Sequence, residues 1–492
     1  MKKTYIDTAM ERIAPDLILK GGNVVDVFSG RVIKADVIIK DGIICGVGSY
    51  SGENEQDVSG KYIMPGFIDS HVHIESSMTQ PSEYAKAVMP HGITTVIADP
   101  HEITNVCGED GLEFMLKSAK NIPLDVNLML PSCVPATPFE HTGANLDAKT
   151  TQKLAPKFFG IGEMMNYPGI VSGDDETLGK LCLDIIDGHA PLLSGHELDA
   201  YASAGIKTDH ECSVVEEMTE KISKGMYILL REGTLSLDVA KLIKGVTPYT
   251  LRRCAFCTDD RFVGEIIRDG SIDHCIRKAV SLGLNNIDAI IMATLNACEM
   301  YGMKNKGAIA PSYVADIVVA DDLNLSSISQ VYKNGKLVCE NGKALFECET
   351  VDNSKVTNTV HLPKISADFF KTDVKDKFDA IELIPKSIIT KKVTVSYSDS
   401  LSKVCVIERH HNLGTKGIGF VTNYEITNGA IATSIGHDSH NVIVIGDNDS
   451  DMALAVNTLG TSGGIAVCSE GKVIASMTLD IAGLMSVKSA DE

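Results

Sequence analysis

The chain has 492 residues, too many for one ordinary hydrophobic core, so two or three domains are expected. With 44% hydrophobic and 22% charged residues it falls near the globular average, no apolar run is long enough to span a bilayer, and the opening Met-Lys-Lys-Thr-Tyr-Ile-Asp lacks the apolar core of a signal peptide. A soluble cytoplasmic protein without a membrane partner is expected, and a net charge of −20 argues against nucleic acid while leaving small uncharged substrates open.

In chain order, Asp16–Lys20, Asn23–Val27 and Ala35–Lys40 read as short strands, with Asp41-Gly42 marking a hairpin. A matching set returns after residue 306: Gly307–Ala310, Ala315–Ala320 and Gln330–Val338, the last holding an Asn-Gly turn. These flanking pieces are expected to pack together as one small β-domain, 1–64 with 306–345. Between them, 65–305 alternates strands and helices, which favours a parallel sheet with helical crossovers. The candidate strands are Gly66–Ile68, Thr94–Asp99, Asp125–Leu130, Phe158–Glu163, Ala190–Ser194, Ile206–Asp209, Tyr227–Arg231 and Cys254–Thr258. Eight such units close a (β/α)8 TIM-like barrel, whose chemistry lies at the C-terminal strand ends.

Residues 345–385 are polar and mixed, and read as a linker or irregular stretch. A C-terminal α+β unit, 386–492, is expected from the strands Lys392–Tyr397, Lys403–Ile407, Gly417–Val421 and Ser439–Gly446. A helix capped by Asp449 or Ser450 then runs to Leu459, and Gly460–Gly464 is a plain turn. Thirteen cysteines without a regular framework read as reduced thiols, and Cys254-Ala-Phe-Cys257 as strand packing.

Polar residues gather at the predicted strand ends. The stretch Pro65-Gly-Phe-Ile-Asp-Ser-His71-Val-His73-Ile-Glu75 places two imidazoles two residues apart, on one face of a strand, where both can reach one divalent ion. Later strand ends offer Glu163, His189 or His196, His210 and Asp259. Imidazoles and carboxylates at one rim suit a pair of borderline-hard cations, Zn²⁺, Fe²⁺ or Mn²⁺. Spacing leaves His189 and His196 both open, and His189 is preferred because it directly precedes the apolar run Ala190–Ser194.

The order His-x-His, carboxylate, His, His, Asp resembles the ligand order of the amidohydrolase superfamily. Dinuclear members often carry a carbamylated lysine at the fourth strand, whereas a glutamate there, here Glu163, is similar to the adenine deaminase branch. So are Ser70-His-Val-His-Ile-Glu-Ser-Ser77, Ala98-Asp-Pro-His-Glu-Ile103, Gly162-Glu-Met-Met-Asn166, Gly195-His196, Thr208-Asp-His-Glu211, Phe256-Cys-Thr-Asp-Asp260 and Gly436-His-Asp-Ser-His-Asn441. The resemblance covers nearly the whole chain, and members of the branch run on past the equivalent of Glu492.

The resemblance implies hydrolytic deamination of adenine to hypoxanthine and ammonia, in purine salvage. It implies two divalent ions per chain, Mn²⁺ first, with Fe²⁺ or Zn²⁺ as alternatives. His71 and His73 would bind one ion, Glu163 would bridge, His189 and His210 would hold the other, and Asp259 would bind and move the proton. Apart from the resemblance, position near the strand ends makes His101, Glu102, Glu211 and Arg231 the substrate-contact candidates, and the polar, His-rich turn with His437 and His440 suggests a lid over the mouth. A homodimer is the default for a soluble enzyme of this size. The rival readings are an amidohydrolase acting on a cyclic amide, a cyclic amidine or an N-acetyl sugar, and a metal-less scaffold. A single-zinc deaminase is excluded, because Arg253 rather than proline precedes the one C-x-x-C.

Overall fold

The computed structural model describes residues 1–373, 376–385, 389–396 and 401–492. The two flanking segments meet in one nine-stranded sheet. Its junction is the antiparallel pair Tyr62–Pro65 and Ile317–Ala320, with Ile317 opposite Pro65. Both predicted hairpins form: Arg31–Lys40 pairs with Ile43–Gly48 across Asp41-Gly42, and Ile328–Lys333 with Lys336–Glu340 across Asn334-Gly335. All four turn residues have positive φ (49°, 75°, 49° and 74°), the backbone that lets a two-residue turn follow the strand twist.

The middle segment is mixed α/β around a curled parallel sheet. Five strands lie in the order Ile186–Gly188, Gly160–Met164, Asp125–Leu130, Ile93–Ala98 and Phe67–Val72, and a second group runs Thr208–Asp209, Tyr227–Arg231, Cys254–Cys257. At one seam the Asp259 N–H donates to the His71 carbonyl (3.0 Å) and the His73 N–H to the Asp259 carbonyl (3.2 Å); at the other the Gly188 N–H donates to Thr208 Oγ1 (3.0 Å). The strands are near-continuous apolar runs because helices cover their outer side.

Two predicted strands do not form: Gly307–Ala310 is irregular chain, and the other falls in the middle segment. Ala190–Ser194 is a turn and loop leading into the helix Gly195–Ser203, and the fifth strand is Ile186–Gly188. Pro191 has no N–H to give a ladder, and Leu192 is exposed at φ +61°. His189 therefore follows its strand instead of preceding one.

The C-terminal region forms an eight-stranded sheet with the helix Asp449–Thr458 packed on it. Its strand Lys377–Leu383 pairs with Thr390–Ser396, so the sheet takes in residues read as a linker. The cap of the helix is Asn448, whose side chain accepts from the Asp451 N–H, one residue before the expected caps. The predicted boundary at 386 and the predicted strand end Tyr397 lie outside the described residues. All thirteen cysteines are free, and Cys254 and Cys257 are buried in their strand.

Candidate metal centre and cavity

His71 and His73 leave the C-terminal end of Phe67–Val72 on one side, with their Nε2 atoms 3.1 Å apart. The Nδ1–H of His73 donates to the Asp99 main-chain carbonyl at 2.8 Å, which fixes the tautomer. Its Nε2 lone pair then faces Asp259 Oδ1 at 3.1 Å and Glu163 Oε1 at 3.4 Å. A lone pair opposed to two carboxylates repels them unless positive charge lies between, supplied by ring protons or by a cation. That donor set fits divalent metal.

Glu163 leaves the strand Gly160–Met164 with its N–H donated to Asp99 Oδ2 (2.9 Å). Its carboxylate divides the cluster: Oε1 faces His73, while Oε2 lies 2.6 Å from His189 Nδ1 and 3.2 Å from His210 Nε2. Two compact donor groups result, His71–His73–Glu163 and Glu163–His189–His210, with His71–His210–Asp259 overlapping both.

Asp259 is a non-glycine residue at φ +58°, held there by the two main-chain bonds to His71 and His73. Its Oδ2 accepts from Arg231 at 2.8 Å. Arg231 also pairs with Glu211 and, through Nε, with Asp238 at 3.2 Å, so one buried guanidinium ties three carboxylates into the wall.

The charges are strongly interdependent. Burial works to raise the Asp259 pKa, but His73, Arg231 and His210, each acting on the carboxylate, hold it well below the usual carboxylate range. Burial opposes ionisation of Glu163 in the same way, and His189 and His210 hold that carboxyl well below its ordinary value. Burial disfavours charging His189, yet Glu163 and then Glu211 push it up to about 9. His101 is likewise disfavoured by burial, yet is raised to about 10 by Asp438, Glu163 and Asp99.

A cavity of about 420 Å³ opens beside the cluster. His73, His101, Glu163, His189, His210, Glu211, Arg231 and Asp259 reach it, together with the apolar Met78, Met165, Leu235, Phe262 and Ile435. His437 and Asp438 of the C-terminal region complete the wall. His196 does not take part: its side chain is fully exposed, 4.0 Å from Asp199. Glu102 is buried behind the wall, accepting from Ser76 Oγ at 2.5 Å, with His437 Nδ1 3.6 Å away. His440 is fully buried, its N–H donating to the Gly436 carbonyl at 2.7 Å.

Four groups escaped the sequence reading of individual residues. Asp99 positions both His73 and Glu163; it stands inside the Ala98–Ile103 string, which was its only signal. Asp187 stands 3.7 Å from His71 Nδ1 and accepts from Thr208 Oγ1 and Tyr301 Oη, contacts that no local pattern announces. Lys221 is fully buried against Asp209 and Glu217. Asp438 arrives from a distant part of the chain.

The amidohydrolase family model matches residues 62–338. Fold, site and this match define a hydrolase of the amidohydrolase class, which acts on C–N bonds. Among solved structures, enamidase aligns with a TM-score of 0.51 and 18% identity, and a β-aspartyl dipeptidase from Fervidobacterium islandicum with 0.50 and 20%. Each covers 68% of this chain and 99% of its own, a likeness of fold alone. The adenine deaminase C-terminal domain model matches 383–492. Adenine deaminase of Clostridium acetobutylicum is 47% identical, covering 99% of this chain and 89% of its own length. Adenine deaminase 2 of Desulfotalea psychrophila is 45% identical, over 98% and 88%. The chain belongs to the adenine deaminase family.

Proposed function

We propose that this protein deaminates adenine hydrolytically to hypoxanthine and ammonia, as a cytoplasmic enzyme of purine salvage. The observation that carries the reading is the 40–47% identity, over nearly the whole chain, to relatives named adenine deaminase. The finer assignments are part of the same proposal: a closed (β/α)8 barrel over 65–305, a β-domain from 1–64 and 306–345, a C-terminal domain from 386, and a homodimer.

His71, His73 and Glu163 would hold one divalent ion, and Glu163, His189 and His210 the other, with Asp259 beside both; Mn²⁺ is the first choice. Glu163 suits the bridge because its two oxygens face different imidazoles. Bound there, a divalent ion would supply hydroxide at neutral pH by lowering the pKa of water from 15.7 toward about 7. The chain's own residues then orient and move protons. Asp259, ionised and anchored by Arg231, would take a proton from the attacking water and deliver it to the departing amine. Glu211 and Arg231 form a charged wall for the ring, His101 lies above Glu163, and Glu102 acts from behind through Ser76.

Protein purified under chelator is refilled separately with Mn²⁺, Fe²⁺ and Zn²⁺ and assayed for ammonia release from adenine, with adenosine and N-acetylglucosamine-6-phosphate as controls. Turnover of adenine that needs about two ions per chain, and falls at least about 10²–10³-fold in Glu163→Gln, supports the reading. Metal binding with turnover of another substrate in place of adenine overturns it.

A further inference from the structure

The wall that the C-terminal region adds to the cavity holds one carboxylate with an open face. Glu163 and Asp259 are engaged by the imidazoles and Arg231, Glu211 by Arg231, and Asp260 shares the one Ser76 hydroxyl with Glu102, each carboxylate 2.5 Å from Ser76 Oγ. Asp438 differs. It is held only by loose ion pairing: its Oδ1 stands 3.6 Å from His101 Nε2 and 4.0 Å from His437 Nδ1, both longer than a hydrogen bond, and its side chain is 30% exposed. His101 lies between Asp438 and the cluster, its Nδ1 3.4 Å from Glu163 Oε1, and neither ring nitrogen has a hydrogen-bond partner. Asp438 is therefore one imidazole's width beyond the carboxylate proposed to bridge, on the cavity side supplied by residues 435–438.

A substrate whose reacting carbon faces the cluster turns its other end toward this wall. For adenine, the reacting carbon is in the six-membered ring, and the remote end is the five-membered ring with its single N–H. A carboxylate is an acceptor only, so it fits an N–H and leaves unpaired any purine that carries carbon there. We propose, building on the deaminase reading, that Asp438 is a specificity residue that accepts the imidazole-ring N–H of a free purine base and thereby selects against N9-substituted purines. The C-terminal region would in this way complete the substrate site, which the barrel residues alone leave open.

The test compares kcat and KM for adenine and 9-methyladenine in the metal-loaded full chain, its Asp438→Asn variant and its Asp438→Ala variant, with metal content measured in each. The Asn variant keeps shape and one acceptor oxygen, which separates loss of charge from loss of fold. The expected result is metal content equal to wild type in both variants. The adenine kcat/KM falls about 10- to 100-fold in Asp438→Ala, chiefly through KM, and less in Asp438→Asn. Turnover of 9-methyladenine changes by less than about threefold, so discrimination collapses. Unchanged adenine kinetics, or an equal fall for both substrates, overturns the role of Asp438. Absence of adenine turnover in the loaded wild type overturns the deaminase reading instead.

Discussion

Asp99 serves both halves of the cluster: its main-chain carbonyl takes the Nδ1 proton of His73 at 2.8 Å, and its carboxylate takes the N–H of Glu163 at 2.9 Å. One residue after the second strand thus sets the tautomer of an imidazole on the first strand and the seat of a carboxylate on the fourth. Partners of this kind fix ligand orientation, and their loss costs about 10- to 100-fold in metal affinity.

Gly162 tests that linkage. A Cβ at this position would sit 2.1 Å from Asp99 Oδ2, so Gly162→Ala must push the carboxylate off the Glu163 N–H. We expect a loss of about 1–3 kcal/mol in stability and a fall in metal affinity of about 10- to 100-fold. Denaturant unfolding and metal titration measure the two, and unchanged metal affinity would show that Asp99 does not position Glu163.

Lys221 supports the other half. Its ammonium, fully buried, meets Asp209, Glu217 (2.7 Å) and the Ala190 carbonyl (2.7 Å), and Glu217 in turn accepts the Leu192 N–H at 2.7 Å. The group ties the strand before His210 to the loop after His189. Lys221→Met leaves the Asp209 carboxylate buried without its cation, and a loss of about 3–5 kcal/mol is expected. Chemical denaturation of the variant should show it; an undiminished midpoint would mean that the pair contributes nothing net.

Metal loading should compete with protons. In the metal-free protein, burial disfavours charge on His189 but the neighbouring Glu163 raises its pKa to about 9, so below that value the ring is protonated. A ligand imidazole must be neutral, so loading releases protons, and apparent affinity rises with pH up to about 9. The same shift stabilises the metal-free fold fully below the ordinary histidine value near 6.5, an effect lost as pH rises through about 9. Calorimetric titration of Mn²⁺ near pH 7.5 in two buffers of different ionisation enthalpy should report net proton release, and buffer-independent heats would contradict this.

The chain's last turns hold the first strand's exit. The Ser486 N–H donates to the Met78 carbonyl at 2.8 Å, and the Ala490 N–H to Glu83 at 3.2 Å. Leu484 and Met485 are buried in the apolar cluster that also contains Val72 and Ile74, the neighbours of His71 and His73. Met485→Ala is expected to cost about 2–5 kcal/mol and to lower metal retention as well, because the next residue, Ser486, is bonded to Met78 at the end of the segment that carries His71 and His73. Thermal unfolding with metal analysis checks both, and a destabilised variant with intact metal retention would confine the effect to the C-terminal region.

The cluster was legible where chemistry is local. His71 and His73 share a face because a strand repeats every two residues, and that survives even though the strand runs further than expected, to Val72. His189 reaches Glu163 although its strand lies before it and not, as expected, after it. The apolar run Ala190–Ser194 had the composition of a strand, but Pro191 removed the ladder donor. His196 has the same side-chain chemistry as His189, yet it sits in a helix that points it into solvent.

By itself the sequence determined the residue types at the rim, the hairpin turns and the family, because each depends on local spacing or on strings of neighbouring residues. Only the tertiary structure decided that Asp99 serves two strands, that Lys221 lies buried between carboxylates, and that Asp438 stands across His101 from Glu163. These relations join residues up to hundreds of positions apart. Strand order, crossover path and the docking of the C-terminal sheet create them, and no periodicity along the chain encodes a distance between segments that meet only on folding.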